Sequence, residues 1–240
     1  KGNPQRSGLI LSLLIPSMVI LALFVVNRIY PFGDRSFLFS DMYHQYMPFF
    51  SELLHKVRGG ENLSFSFNVG IGSNFLALFV YYLASPFHIF SLLVPESHLM
   101  EFMSYLIVLK VGLAGLTSYL YLRRHSMLAE AGKGAALPAE PCGGNEIGAL
   151  FFSCFYALSG FMAAYNYNIM WVDCVVLLPL IVLGLERLVR EGRCGLYCVA
   201  LALSIFTNYY ISIMICIFLV LYFGMLLVTE RRSIGQIWKR

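Results

Sequence analysis

The chain has 240 residues, of which 59% are hydrophobic and 12% are charged, with a net charge of +4 and a mean hydropathy of +0.73. A soluble domain has about 25% charged residues, so this composition excludes an ordinary soluble protein. Several apolar runs approach the roughly 20 residues that cross a bilayer, which predicts an all-α polytopic membrane protein. The basic residues are scattered at helix ends, and this pattern excludes a nucleic-acid-binding surface.

The cysteines predict neither a disulfide framework nor a metal site. No pair has CxxC spacing, and four of the six fall in or beside apolar runs, where cysteine behaves as a small hydrophobic residue. Cys194 and Cys198 share a helix face at i, i+4, but two thiols alone make a poor zinc site. The six are Cys142, Cys154, Cys174, Cys194, Cys198 and Cys216.

The first apolar run, Leu9 to Val26, predicts a transmembrane helix within residues 9–30. Pro16 predicts a kink, which membranes tolerate. The run is too long for a signal-peptide core and lacks a small-residue cleavage site, so we interpret it as a retained anchor helix. Since the chain starts at Lys1 and stops just past an apolar run, we expect it to be a piece of a longer protein.

Residues 31–99 mix acids, amides, tyrosines, glycines and histidines among hydrophobic side chains, and they predict an extracytoplasmic loop with juxtamembrane helices. Such groups must lie at the surface or in a cavity, because unsatisfied polar atoms in hydrocarbon are costly. The segment 41–58 has the spacing of an amphipathic helix in the interface plane. Residues 61–74 predict a loop, and 75–94 are apolar enough to span but are interrupted by polar residues and a proline.

The rest of the chain predicts further spans at regular intervals. They are a span over 100–122, a cytoplasmic loop over 123–146, spans over 147–165 and 171–189, and a hairpin of two short helices over 196–228. The hairpin run has 33 residues, far more than one crossing needs, and Thr207 to Tyr210 break it. The pattern predicts about six transmembrane helices.

The positive-inside rule predicts the orientation of these spans. With a cytoplasmic N-terminus and a segment 75–94 that does not cross, 12 of the 17 Lys and Arg residues lie on the inside. If 75–94 crossed, every later loop would invert and most of those residues would move outside. The first arrangement brings three polar clusters to the outer face. They are Asp41 with Asn68 and Asn74, the turn 166–173, and the turn 208–210.

Four motifs, in this order, resemble the bacterial YfhO family of membrane proteins: SDMYHQYMPFF, YYLASPFHI, MWVDCVVLLPL and TNYYISIM. Family members are much longer than this chain. The resemblance implies an inverting glycosyltransferase of GT-C type in the bacterial cytoplasmic membrane. Such an enzyme takes a sugar from an undecaprenyl-phosphate carrier on the outer leaflet. It places that sugar on a cell-envelope polymer such as lipoteichoic acid.

Asp41 is the candidate catalytic base. The resemblance implies a catalytic acid shortly after the first span, where Asp41 stands, and a carboxylate within reach of the acceptor hydroxyl can take its proton. The alternative is a helix N-cap, because Asp is a favoured cap. Gln45 and Tyr46 follow on the same helix as candidate substrate contacts, and Gln45, at i+4, can bind a sugar hydroxyl or orient the carboxylate. An interfacial aromatic helix is the other interpretation.

Other outer-face residues are candidate substrate contacts. Amides bond hydroxyls and aromatic faces stack on sugar rings, which suggests Asn68, Asn74 and Tyr82. An aromatic belt at the membrane interface is the alternative for the tyrosine. Asn208 and Tyr209 are candidates for binding the sugar or the acceptor.

Lys110 and Asp173 are charged residues inside predicted spans, where such residues are functional candidates by default. Three roles are open for Asp173: assisting Asp41, holding a divalent cation with it, or capping its helix. Two are open for Lys110: reaching outward to the carrier phosphate, or forming a structural bridge to Asp173, which we favour. No other cofactor is predicted.

Two further classes of protein fit the pattern: a transporter or flippase for a lipid-linked precursor, and a non-catalytic scaffold of an envelope complex. A transporter is expected to place polar groups along the full depth of its spans, whereas an enzyme gathers them at one face. The sequence gathers them at the outer face, and this favours the enzyme.

Overall fold

The structure, a computed structural model, describes residues 4–132 and 144–230, with side chains over 6–125 and 146–230. Within these ranges the regular structure is helical apart from two isolated β-bridges, which confirms the all-α class. The α-helices are α1 Pro4–Val26, α2 Met47–Gly59, α3 Phe75–Leu78, α4 Leu99–Gly132, α5 Gly144–Ala157, α6 Gly160–Tyr165, α7 Ile169–Glu191, α8 Gly195–Thr207 and α9 Tyr209–Thr229. Short π and 3₁₀ segments cover Met42–Tyr46, Phe79–Leu83, Pro86–Leu93 and Glu96–His98.

Among the described residues, five helical segments are long and apolar enough to cross a bilayer. They are Arg6–Val26, Glu96–His125, Glu146–Tyr165, Ile169–Glu191 and Tyr209–Thr229. A bent pair, Phe75–Leu83 with Pro86–Leu93, would make a sixth if it were one span. A polytopic helical membrane protein is therefore the architecture, as predicted.

The predicted hairpin over 196–228 breaks at Asn208, but its two arms are unequal. Asn208 has an extended backbone and joins α8, of 13 residues, to α9, of 21 residues. The prediction of two short helices is therefore wrong for α9, which reaches the roughly 20 residues of a full crossing. α8 is shorter than a straight crossing requires, because its 13 residues rise only about 20 Å.

The helix that contains the predicted second span is longer than that span. α4 does not stop at residue 122 but continues to Gly132, so the predicted loop 123–146 begins as helix. α5 already starts at Gly144. The centre of that predicted loop, with Cys142, lies outside the described residues.

The predicted span 147–165 contains a break near its end. α5 ends at Ala157, and the hydroxyl of Ser159 accepts a hydrogen bond from the backbone nitrogen of Met162 at 3.4 Å, which begins α6. Serine side chains offer the backbone such local bonds, and they favour helix starts over helix interiors. The two helices together still form one candidate span.

The predicted amphipathic helix over 41–58 is confirmed as a π turn, Met42–Tyr46, that runs directly into α2. α2 buries Phe50, Leu53 and Leu54 against the core. It ends at Gly60, whose φ of 65° is the left-handed conformation that terminates helices. The following residues contain no helix until Phe75, as predicted for the loop 61–74.

The ambiguous segment 75–94 forms two short helical arms that are bent by 108° relative to each other. The bend falls at Ser85-Pro86, where Ser85 Oγ accepts a hydrogen bond from the backbone of Phe87 and proline cannot continue the preceding helix. Each arm is far shorter than a straight crossing requires. The interpretation of this segment as one that dips without crossing stays a prediction.

α4 lies at the centre of the packing, with α1, α5 and α7 around it. Glycines let α1 approach closely: a Cβ at Gly115 would lie 2.3 Å from the Ser12 carbonyl oxygen. Small residues at such a crossing give membrane helices their van der Waals contact. A second apolar cluster joins α7, α8 and α9, where a Cβ at Gly184 would lie 2.5 Å from the backbone nitrogen of Tyr197.

Candidate functional site

Asp41 lies at the start of the helix that follows the first span, and its carboxylate is half-buried. Its backbone is already helical, with φ −63° and ψ −22°, whereas a capping residue normally has an extended conformation. The side chain makes no capping hydrogen bond. The N-cap alternative is therefore wrong, and no hydrogen bond or ion pair occupies this carboxylate within the described ranges.

The π turn places Asp41 beside two tyrosines. Tyr46, five residues on, is buried and donates a hydrogen bond to Asn168 Oδ1 at 2.5 Å. Burial, together with the negative charge of Asp41, raises the pKa of Tyr46, so its phenol stays protonated. Tyr82 also feels the charge of Asp41, and its hydroxyl donates to Gln45 Oε1 at 3.2 Å. Single π turns inside helices occur frequently at functional sites.

Two of the three predicted polar clusters, the turns 166–173 and 208–210, contact residues near Asp41, whereas Asn68 and Asn74 make other contacts. The Tyr46–Asn168 hydrogen bond joins the helix of Asp41 to the turn 166–173. Asn208 Nδ2, in the turn 208–210, donates to the Tyr81 carbonyl oxygen at 3.3 Å. Aromatic rings line the same junctions, with Tyr81 5.6 Å from Tyr209 and Trp171 6.2 Å from Tyr210 between centroids. The result is a tyrosine cluster near Asp41, made of Tyr46, Tyr81, Tyr82 and Tyr209.

Two of the amides predicted to contact substrate, Asn74 and Asn208, have structural partners for their oxygen atoms. Asn74 Oδ1 accepts a hydrogen bond from Ala77 N at 3.1 Å and caps α3. Asn208 Oδ1 accepts one from Ile211 N at 2.9 Å and caps α9. Each amide oxygen satisfies a helix end, which is a role that these residue types commonly have.

Asn68 belongs to a neighbouring cluster that the sequence did not indicate. Its amide nitrogen donates to Glu52 Oε2 at 2.9 Å, and Ser66 Oγ donates to Glu52 Oε1 at 2.5 Å. The Lys56 ammonium lies 3.6 Å from the same carboxylate. Burial alone would raise the pKa of Glu52, but these hydrogen bonds and the lysine charge outweigh it and lower the pKa. Glu52 and Asn68 border a cavity of about 500 Å³.

Lys110 and Asp173 form a buried ion pair. The Lys110 ammonium lies 2.9 Å from Asp173 Oδ1 and 3.0 Å from Oδ2. It also donates to the Ile169 carbonyl oxygen at 2.8 Å and contacts His88 Nε2 at 3.3 Å. The favoured bridge to Asp173 is confirmed. The ammonium carries only three protons and has three partners here, so no proton is left to bind the carrier phosphate.

The ion pair also bears on the open roles of Asp173. Asp173 lies within α7 and not at its cap, so the capping alternative is wrong. Its carboxylate is committed to Lys110, and no group of three or more His, Cys, Asp or Glu side chains in the described part of the chain could hold a metal ion. The divalent cation therefore gains no support from these residues.

A second polar cluster, which the sequence analysis missed, lies at the opposite end of α7. Glu186 is fully buried there, and its oxygens have four partners. They are Tyr222 Oη at 2.6 Å, His125 Nδ1 at 2.8 Å, Tyr121 Oη at 3.2 Å and an Arg190 guanidinium nitrogen at 3.5 Å. The available signal was the pair of i, i+4 spacings, Tyr121 with His125 and Glu186 with Arg190, inside apolar runs.

Comparison with known proteins agrees with the four sequence motifs. A family model described as "Bacterial membrane protein YfhO" matches residues 12–240. No curated protein and no solved structure matches the chain. The family match covers the Asp41 segment, the bent pair and both polar turns. The chain therefore belongs to the YfhO family of bacterial membrane proteins.

Proposed function

We propose that this chain carries the catalytic site of a membrane glycosyltransferase of GT-C type. It transfers a sugar from an undecaprenyl-phosphate carrier to a cell-envelope polymer such as lipoteichoic acid. The observation that carries the proposal is the Asp41 carboxylate, which lies half-buried beside the tyrosine cluster without a hydrogen-bond or ion-pair partner in the described ranges. A carboxylate held in this way is available to take a proton.

The proposed step needs one base and no acid. The acceptor hydroxyl oxygen attacks the anomeric carbon, the new C–O bond forms, and the bond to the carrier phosphate breaks with its electron pair leaving on phosphate. Asp41 takes the hydroxyl proton, and attack from the face opposite the phosphate inverts the anomeric centre. Around this centre Gln45 and the hydroxyl of Tyr82 offer hydrogen bonds to the sugar. Tyr209 offers an exposed aromatic surface, whereas Tyr46, a predicted substrate contact, is buried and donates its hydroxyl to Asn168 instead.

The protein is a membrane protein, and the proposed site lies on the outer face of the bacterial cytoplasmic membrane with the N-terminus inside. This orientation is supported by the distribution of Lys and Arg residues. This orientation places Asp41 and the tyrosine cluster on the side where lipid-linked sugars and envelope polymers meet.

The distribution of polar groups along α7 argues against a transport pathway. Asp173 and Glu186 are separated by 13 residues of helix, or about 20 Å, and no charged residue lies between them. The sequence expectation of a single polar face is wrong, because the Glu186 cluster forms a second one. An uninterrupted apolar stretch of α7 still separates Asp173 from Glu186, and a transporter would need polar groups within that stretch.

The test is an assay of the full-length protein in lipid nanodiscs with a radiolabelled undecaprenyl-phosphate sugar and a glycerol-phosphate polymer. Asp41→Asn is expected to lower transfer by about 10²–10⁴-fold, the usual contribution of a general base. Asp34→Asn is the matched control, since Asp34 is an exposed acid of the same loop. Wild-type transfer that survives in Asp41→Asn would contradict the proposed base. In vesicles without acceptor, carrier movement across the bilayer would favour the flippase.

A further inference from the structure

We infer that Lys110 is a positioning residue for the Asp41 site, acting through two contacts that converge on the helix which carries Asp41. The ammonium is fully buried in the core and none of the proposed chemistry uses it. That it places a catalytic base rests on the proposed function. That it holds the helix in place does not.

The first contact runs through the start of α7. Lys110 binds the carbonyl oxygen of Ile169 and the carboxylate of Asp173, which fixes the first turn of α7 against α4. Asn168 immediately precedes that turn and accepts the Tyr46 hydroxyl at 2.5 Å. Because the backbone of Ile169 is held directly, the position of Asn168 follows from the position of the ammonium.

The second contact runs through the bent pair. Lys110 contacts His88 Nε2, and the His88 ring packs edge-on against Phe50 with centroids 4.9 Å apart. Phe50 lies one turn after Tyr46 on the same helix, and both side chains are buried. The ammonium therefore reaches one helix face from two sides, at positions i and i+4, through elements far apart in the sequence.

A buried ion pair is a poor stabilising device, because the desolvation of both charges offsets much of their attraction. The Lys110–Asp173 salt bridge therefore contributes more to the positions of its neighbours than to stability. The three N–H donors of the ammonium bind acceptors in fixed directions on two other elements. Preorganised groups held to within about 0.5 Å are what a catalytic site requires. The arrangement matches that requirement.

The experiment measures the position of the Asp41 segment without using activity. Phe39 precedes Asp41 by two residues, and its ring lies 5.7 Å from the ring of Tyr167 beside Asn168. The double replacement Phe39→Cys/Tyr167→Cys, in full-length protein with its other reactive cysteines removed, reports this proximity as a cross-linking rate with a short bifunctional thiol reagent. The measurement compares this rate with and without Lys110→Met/Asp173→Leu, which removes both charges together.

Loss of the Lys110–Asp173 pair is expected to lower the cross-linking rate about fivefold or more. This corresponds to a loss of about 1 kcal/mol from the free energy that favours the close position. The matched control is Arg187→Gln/Glu191→Gln, which removes a 3.2 Å ion pair at the other end of α7 and is expected to leave the rate unchanged. An unchanged rate in folded Lys110→Met/Asp173→Leu would overturn the inference. If that variant does not fold, Tyr46→Phe removes only the hydroxyl that joins the helix to Asn168. An unchanged rate there would overturn it equally.

The transferase assay separates this inference from the proposed function. With both correct, Lys110→Met/Asp173→Leu lowers kcat by about 10²-fold and leaves KM nearly constant, because substrate still binds while the base is misplaced. If the wild-type protein transfers no sugar but the cross-linking rate still falls, the positioning stands and the glycosyltransferase proposal fails. Full kcat alongside a lowered cross-linking rate would remove Lys110 from catalysis.

Discussion

Asp41 and Glu186 are both acids in a lipid-embedded chain, yet their surroundings are opposite. Glu186 is fully buried and has partners on three helices, α4, α7 and α9. Asp41 is half-buried, and tyrosines surround it without a direct hydrogen bond to its carboxylate in the described ranges. Saturated hydrogen bonding makes the first a structural joint, whereas the second keeps its lone pairs available for a ligand.

The comparison predicts a crossover between activity and stability, and Asp41→Asn gives its largest effect. Transfer is expected to fall by about 10²–10⁴-fold. The free energy of unfolding is expected to change by less than about 0.5 kcal/mol, because no hydrogen bond within the described ranges is lost. Parallel transfer assays and unfolding curves in detergent measure both quantities. A large loss of stability in Asp41→Asn would place Asp41 among the structural acids and end the contrast.

Glu186→Gln is expected to show the converse. The change is expected to cost about 1–3 kcal/mol, because a neutral amide weakens the hydrogen bonds from Tyr222 and His125, although Arg190 keeps Glu230 as a counterion. Unfolding in detergent measures this loss, and transfer per folded molecule stays near the wild-type value. Glu191→Gln is the control, because Glu191 pairs with Arg187 at the more exposed end of the same helix. Equal stability losses in the two variants would show that burial does not distinguish them.

Asn208 tests the distinction between structural residues and residues that contact substrate. Asn208 caps α9, so Asn208→Ala is expected to cost about 1 kcal/mol of stability. Asn208→Ser is expected to recover most of this loss, because serine also caps helices. Transfer should follow the same order if the cap is its main role. Should Asn208→Ser keep the stability but lose the transfer, then the amide contacts substrate as the sequence suggested.

The smallest expected effect is the pH dependence due to Glu52. Its folded pKa lies below the ordinary carboxyl value of 4.5, so its contribution to stability is fully present above that value. The contribution is lost as the pH falls through the folded pKa, when the carboxylate protonates. Unfolding curves between about pH 6 and 3 are expected to fall less steeply for Glu52→Gln than for the wild type. Identical slopes would contradict this, and Glu96→Gln is an exposed control.

The spans, the loop containing Asp41 and the family could all be predicted from the sequence. Segments such as Tyr209–Thr229 are recognisable because their transfer into lipid depends on composition and length, which are local properties. The bridge between Lys110 and Asp173 could also be anticipated, since charges of opposite sign inside spans need each other. The capping roles of Asn74 and Asn208 could not, because an amide beside a helix start has the same residue signature as an amide beside a sugar.

Composition and periodicity alone determined that this chain is a helical membrane protein with an acid just beyond its first span. Tertiary structure alone decided the partners of Glu186 and left Asp41 without one in the described ranges. The hydroxyl of Tyr46 meets Asn168 across 122 positions, and His125 meets Glu186 across 61. Such pairings depend on how helices cross and where the 108° bend falls. The physical reason is that hydrophobic transfer adds up residue by residue, whereas hydrogen bonding is directional and is satisfied only in three dimensions.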